Sequence, residues 1–190
     1  MSGEQIGLFD LAGASPVTAT AEPLPTEVDF DRIPFDRTVP IPRGTYAAIE
    51  PLVSHCQQCQ RCGLAETRTN VVIERGNRQA LIAIIGEGPG QTEDETGLPF
   101  VGKSGQLLEK ILASVRLDMD RDVYVCNIVR CRPPDNRTPT PEEIAACKPY
   151  LLEQLRLADP KIILLTGATA VRALLDRKAV SYTHLRAHET

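Results

Sequence analysis

The stretch "ALIAIIGEGPGQTEDETGLPF", Ala80 to Phe100, runs from an unbroken apolar segment straight into a glycine-rich loop. An apolar run of this length, without polar alternation, reads as a strand buried on both faces, as in parallel sheets. Glycines at the end of such a strand mean that backbone must come close to something: a phosphate, a nucleotide or a base. The loop is not a G-x-x-x-x-G-K-[ST] phosphate cradle, because the lysine and hydroxyl are missing at that spacing. Nor is it G-x-G-x-x-G opening directly into a helix, because "QTEDETGLPFVGK" intervenes.

The flanking segments extend the pattern. "TNVVIERG" reads as a preceding strand, and residues 46–66 as a helix and turn. "SGQLLEKILASVRL" is expected to be a helix with Leu107, Leu108, Ile111, Leu112 and Val115 on one face. "DVYVCNIV" is the next strand. "TPEEIAACKPYLLEQLRL" opens with Thr140 as N-cap, Pro141 at the first position and Glu143 three residues after the cap, a capping box; Pro149 is expected to kink it. "KIILLTG" and "ATAVRALL" add one more strand and helix. This alternation predicts a three-layer α/β/α domain around a central, mostly parallel sheet. Ligands of such sheets bind at the carboxyl ends of the strands, where "GEGPG", "NIVRCRPPDN" and "TGAT" fall.

A chain of 190 residues, 42% hydrophobic, suffices for one such domain. No apolar run reaches the length of a membrane span and the N-terminus does not read as a signal peptide, so a cytosolic protein is expected. Net charge is −4, but residues 1–50 hold eight acidic and three basic side chains. The remainder is therefore slightly basic, with Lys103, Arg130, Arg132 and Arg137 among its cations, which is compatible with a phosphate backbone as partner. Residues 1–45 are expected to be an acidic, Pro-rich disordered tail and 46–179 the folded domain. The last stretch, "VSYTHLRAHET" (180–190), fits neither period and resembles a translated sequencing-library adapter; the natural chain is expected to continue past about Ala179.

Six cysteines in a cytosolic chain point to metal or catalysis rather than disulfides. Cys59 and Cys62 form a C-x2-C pair, with Cys131 and Cys147 farther along; four thiolates can close a zinc site or hold a [4Fe–4S] cluster. Cys56 extends the pair to C-x2-C-x2-C, so spacing alone leaves the first ligand open; His55 beside it could serve as a ligand, though its ordinary reading is a surface residue. Cys126, within a strand, reads as a small buried hydrophobe. Around the glycine loop, Glu87, Glu93 and Asp94 supply carboxylates, Phe100 an aromatic face, and Asn127 and Asn136 amides. Those are the parts needed to grip a planar base: an edge-reading amide, a stacking ring and a carboxylate to orient water.

Together, "GEGPGQTEDETGLPFVGKSGQLL", "VYVCNIVRCRPPDNRTPTPEE", "CKPYL" and "CQRCGLAETRTN" resemble the family 4, iron–sulfur uracil-DNA glycosylases, in order from about Ala47 to Leu175. The resemblance implies base flipping and hydrolysis of the N-glycosidic bond of deoxyuridine, releasing uracil and starting base excision repair. It implies a structural [4Fe–4S] cluster on Cys59, Cys62, Cys131 and Cys147, and Arg130, Arg132 and Arg137 against DNA phosphates. Glu87 matches the position beside the scissile bond, and Gly88 stands where other branches carry a water-activating aspartate. Phe100 matches the ring that stacks on uracil, and Asn127 the amide that reads its edge. Gly86, Glu93 and Asn136 match further pocket positions. The family's late "HP"-type motif is absent; His184 has no following proline and lies, with His188, in the adapter-like tail. These 190 residues alone are thus expected to be weakly active or inactive, whereas the natural gene product is an enzyme, a monomer acting on single- or double-stranded DNA in the bacterial cytosol. A non-catalytic iron–sulfur or zinc DNA-binding protein on the same fold is the alternative. Finally, "QIGLF" resembles the motif by which bacterial repair proteins bind the sliding clamp, with Gln5 making polar contacts and Ile6, Leu8 and Phe9 entering an apolar pocket.

Overall fold

The structure is a computed structural model that describes residues 28–175. The N-terminal QIGLF segment, His184, His188 and the tail from Val180 lie outside the described residues. The element order is α1 (Ile49–Gln58), β1 (Arg75–Gly76), β2 (Ile82–Gly86), α2 (Gln91–Thr96), α3 (Lys103–Ser114), β3 (Val123–Asn127), α4 (Pro141–Ala158), β4 (Ile162–Leu165) and α5 (Ala168–Leu175), with short 3-10 turns at Phe30–Arg32, Gly63–Glu66 and Pro134–Asn136.

The sheet runs in the order β1-β3-β2-β4. β2 pairs in parallel with β3 and with β4, whereas the two-residue β1 lies antiparallel on β3. This is the mostly parallel α/β sheet expected from the alternation. One strand is shorter than its sequence suggests. Of "TNVVIERG" only Arg75–Gly76 enters the ladder, while Val72 instead donates its N–H to Arg130 O at 2.8 Å.

Strand residues of opposite parity fill the two layers, as pleating requires. Ala83, Ile85, Tyr124 and Cys126 face α4 and α5, packing with Leu151, Ala170, Ile144 and Leu155. Cys126 is the small buried hydrophobe that its strand position predicts. On the other face, Ile84, Val123 and Val125 pack against Leu108 and Leu112 of α3. Of the five apolar residues expected on one face only those two are buried: Leu107 and Ile111 on α3, and Val115 just past its end, stand more than half exposed. The i, i+4 pair meets the sheet, and Leu107 and Ile111 lie about a quarter of a turn round the helix.

Residues from 28 onward belong to the folded body, which corrects the tail boundary at 45. Ile33, Val39 and Tyr46 are buried with Leu52, Cys56 and Tyr150. The guanidinium of Arg61, itself 6% exposed, donates to the carbonyls of Ile33, Asp36, Arg37 and Val39 at 2.9–3.2 Å. A proline-rich segment without periodicity can dock when its carbonyls find a donor of this reach. Among the described residues no helix is long and apolar enough to cross a membrane.

α4 carries the capping box as expected: Thr140 Oγ1 accepts from Glu143 N at 3.3 Å and Glu143 Oε2 accepts from Thr140 N at 2.8 Å. Pro149 lies inside this continuous helix. α3 depends on a glycine, because a Cβ at Gly105 would overlap the backbone carbonyl of Phe100. Gly105→Ala should therefore destabilise the domain by about 2–3 kcal/mol, the overpacking range, with the melting temperature in a thermal scan falling accordingly.

Candidate functional site

The parallel register sets Gly86, the last residue of β2, opposite Asn127, the last residue of β3. With Thr166, whose hydroxyl donates to Ile85 O at 3.1 Å, they floor a cleft of about 780 Å3 at the carboxyl edge of the sheet. Its walls are the Glu87–Glu93 loop, Phe100, the first turn of α3, and residues between Pro133 and Pro139. The chain passes from β2 to β3 on one side and returns to β4 on the other, so the connecting loops part over this edge.

The floor is tight. A Cβ at Gly86 would lie 2.5 Å from Asn127 Oδ1 and 2.6 Å from Phe100 Cζ, so the missing side chain is what lets ring and amide sit together. Asn127 is 2% exposed, yet its carboxamide borders the cleft with no hydrogen-bond partner among the described residues. Phe100 has φ +56, a left-handed conformation that costs a bulky residue about 1–2 kcal/mol and is kept only where surroundings impose it. Arg75, paired through Nη2 with Glu109 and through Nε with Asp120, donates from Nη1 to the Phe100 carbonyl at 3.3 Å. Glu87 lines the cleft while its backbone carbonyl accepts from Val129 N at 3.2 Å. A Cβ at Gly88 would stand 2.8 Å from Val129 Cγ2, so this part of the loop lies close against the segment that follows β3.

The neighbouring carboxylates do a different job from the one expected. Glu93 borders the cleft, but its oxygens accept from the backbone amides of Gly90, Val101 and Gly102 at 2.7–3.1 Å. It closes the loop on itself and leaves little accepting capacity for a ligand. Asp94, 3% exposed, accepts from Thr69 N and Asn70 N at 2.9–3.2 Å and so ties α2 to the segment before β1. Asn136, at φ +54, borders the cleft and accepts from Arg132 Nε at 2.7 Å. Arg137 also borders it and forms a two-pronged pair with Glu143 at 2.7 and 2.9 Å, which holds the Glu143 carboxyl below its ordinary range. Arg132 and Arg137 remain accessible to a polyanion. Arg130 does not: it is 2% exposed and turned inward, which corrects its expected place on a phosphate backbone.

Arg130 points instead into a second, smaller and more enclosed cavity. Five cysteines line it (Cys56, Cys59, Cys62, Cys131 and Cys147) together with Arg61, Arg68, Arg130 and Tyr150. Cys59 caps the end of α1, Cys62 precedes the Gly63–Glu66 turn, Cys131 follows β3, and Cys147 sits mid-way along α4. Arg130 Nη1 donates to Cys147 Sγ and Arg68 Nη1 to Cys131 Sγ, both at 3.4 Å. The other end of Arg130 bonds Gln154 Oε1, and Gln154 donates to Tyr124 OH at 2.9 Å, whose hydroxyl in turn bonds Glu74. Among the described residues Arg130 has no carboxylate partner, and its Nε, like that of Arg61, has no acceptor. Burial pushes the Cys59 and Cys62 thiols up and the Cys131 thiol to about 12. Among the described residues, no three His, Cys, Asp or Glu side chains stand close enough to hold a single metal ion. His55 faces Tyr46, its Nδ1 3.0 Å from the phenol oxygen, and burial lowers its affinity for a proton.

A family model for the uracil DNA glycosylase superfamily matches residues 73–188, and its match runs into the stretch from Val180. The chain is 47% identical over 138 residues to the type-4 uracil-DNA glycosylase of Thermotoga maritima, covering 73% of this chain and 71% of that protein. It is 40% identical over 136 residues to the type-4 enzyme of Archaeoglobus fulgidus, covering 72% and 68%. The chain belongs to the uracil-DNA glycosylase superfamily, in its type-4 branch. With the type-5 enzyme of Thermus thermophilus identity falls to 33% over 114 residues, covering 53% of this chain and 52% of that protein.

The structure brings residues of three separate loops named from the sequence to one cleft, whereas what encloses the cysteines was not anticipated. Arg61 and Arg68 escaped notice, although each lies within six residues of Cys62, where a guanidinium can reach a thiolate. The loop-closing role of Glu93 is the most accessible to experiment. Glu93→Ala should leave three backbone donors without an acceptor and cost about 2–3 kcal/mol, with amide hydrogen exchange accelerated at Gly90, Val101 and Gly102 before the rest of the domain.

Proposed function

We propose that this chain is the catalytic body of an iron–sulfur uracil-DNA glycosylase, hydrolysing the N-glycosidic bond of deoxyuridine in DNA and leaving an abasic site for base excision repair. One observation carries the reading: a phenyl ring and a carboxamide without a hydrogen-bond partner among the described residues, Phe100 and Asn127, both brought against the bare backbone of Gly86. A flat ring laid on Phe100 presents its edge to Asn127. The amide oxygen accepts from uracil N3–H while the amide nitrogen donates to O4; cytosine offers the reverse pattern at both positions. The tight floor also leaves little room for the extra methyl of thymine.

In the reaction, uracil departs as an anion and the sugar becomes oxocarbenium-like, so donors aimed at the uracil oxygens lower the barrier more than they tighten substrate binding. Asn127 is one donor, and amides of the Gly86–Gly90 loop are placed to supply others. Glu87, at the lip of the same loop, faces the sugar, where a carboxylate favours positive charge. Arg132 and Arg137 hold the phosphates on either side of the flipped nucleotide, and flipping itself costs about a few kcal/mol, least in single strands.

The cysteine cavity fits a [4Fe–4S] cluster held by Cys59, Cys62, Cys131 and Cys147. A fully buried guanidinium without a carboxylate is costly unless an anion sits beside it, and Arg130, with Arg61 and Arg68, surrounds this cavity with positive charge. Thiols too widely set for a single ion suit a cluster whose irons each take one cysteine. When bound, the cluster supplies a rigid cross-link between α1, the loop after β3 and α4. The chain's own residues carry the chemistry in the cleft.

The test is alkali-revealed cleavage of a labelled oligonucleotide carrying one deoxyuridine, run on this chain and on the chain carried past residue 179 by its gene's own reading frame. The continued chain should release uracil and ignore a thymine control. Asn127→Ala in that chain should lose about 10²–10³-fold in rate, as for removal of an oxyanion donor. No uracil release from the continued chain would sink the enzymatic reading in favour of a non-catalytic DNA-binding one.

A DNA substrate places the protein in the cytosol, where repair is coupled to replication. We take the QIGLF segment, Gln5–Phe9, as a tether to the sliding clamp. Replacing Leu8 and Phe9 by alanine should abolish capture of the protein on immobilised clamp; undiminished capture would refute the tether.

A further inference from the structure

Five thiols line the cavity, and a [4Fe–4S] cluster takes four. The fifth, Cys56, is completely buried on the last turn of α1. Cys59 N donates to Cys56 O at 3.2 Å, so the two cysteines stand at the two ends of one tight turn. Cys56 borders the same space as Cys59, Cys131 and Cys147. On one side Cys56 packs with Ile33, Leu52 and Tyr150. On the other it borders the cavity, in company with the guanidinium groups of Arg61, Arg68 and Arg130 and four other thiols.

Cys59 and Cys56 also differ in access. Cys59, like Cys62 and Cys147, is partly open to solvent, whereas Cys56 is sealed. Partly open ligands are the ones that chelators and oxidants meet first, and of these three only Cys59 shares a tight turn with a further buried thiol.

We propose that Cys56 is a reserve cluster ligand, poised to take the iron of Cys59 when Cys59 lets go. The exchange is a substitution at one iron. The Fe–S bond to Cys59 breaks as the Fe–S bond to Cys56 forms, and the proton of the Cys56 thiol passes to the departing Cys59 thiolate. No electron is gained or lost. The short turn between the two residues means that the swap needs no movement of Cys62, Cys131 or Cys147. This inference rests on the cluster reading and adds to it a second ligand set, in which Cys56 replaces Cys59.

Iron and sulfide analysis with visible absorption decides between the outcomes. The unsubstituted chain, purified without air, should be brown and hold about four irons and four sulfides. A colourless, iron-free chain would overturn the cluster reading itself, and the reserve role with it. Given a brown parent, Cys59→Ala should keep most of its iron and absorption with an altered electron paramagnetic resonance spectrum after reduction. Cys62→Ala and the double variant Cys56→Ala/Cys59→Ala should lose both. If Cys59→Ala is as iron-poor as the double variant, or fails to fold, the second arm decides. Cys56→Ala alone retains all four primary ligands, and its cluster should bleach several-fold faster than the parent's under chelator and oxidant. Bleaching at the parent's rate would make Cys56 a packing residue and end the proposal.

Discussion

A guanidinium sealed inside the protein, with no carboxylate to meet it among the described residues, sets the terms for much of this structure. Arg130 leaves the end of β3, reaches Cys147 with one nitrogen and Gln154 with another, and through Gln154 joins Tyr124 and Glu74. A buried charge of this kind is tolerated only when every neighbour contributes to it. The chain therefore brings α4, β3 and the segment before β1 to one point. Asn127 in the cleft and Cys131 in the cavity lie three residues before and one residue after it. The ten residues from Asn127 to Asn136 thus belong to both centres. Whatever fixes the cysteine cavity also fixes one wall of the cleft.

The same density of constraint explains which parts of the molecule could be read in advance. β2, β3 and β4 were legible because an apolar run without alternation has few alternatives to a buried strand. The capping box at Thr140 and Glu143 was legible because its hydrogen bonds are local to four residues. The cleft was legible as a constellation because each of its loops follows a strand, and a parallel sheet collects such loops at one edge. Family resemblance assigned roles within it that spacing alone left open.

What escaped depends on long-range partners. The carboxylates Glu93 and Asp94 look alike in sequence, yet each is taken up by amides up to 25 residues distant. Arg130, Arg132 and Arg137 form one basic run, but only β3's geometry decides that the first turns inward and the others face out. The apolar residues of α3 satisfy a helical period over a wide arc, and contact with Ile84, Val123 and Val125 selects Leu108 and Leu112 alone. Ile33 and Val39 sit in a proline-rich segment that has no reason to fold until Arg61 donates to its carbonyls. In each case the deciding contact is distant in sequence, and pattern carries no information about it.

Phe100 is held from two sides by the absence of side chains: its ring fills the space a Cβ on Gly86 would need, and its carbonyl the space of one on Gly105. Its backbone is fixed in the left-handed region, and Arg75 grips its carbonyl. A ring so confined has little rotamer freedom left to lose when something flat settles on it, so the ordering entropy of the stacking surface is settled during folding. The other side of that economy is intolerance. A wall that cannot retreat selects its guest by shape, and a ligand too large by one carbon finds no softer arrangement of the cleft to accept it.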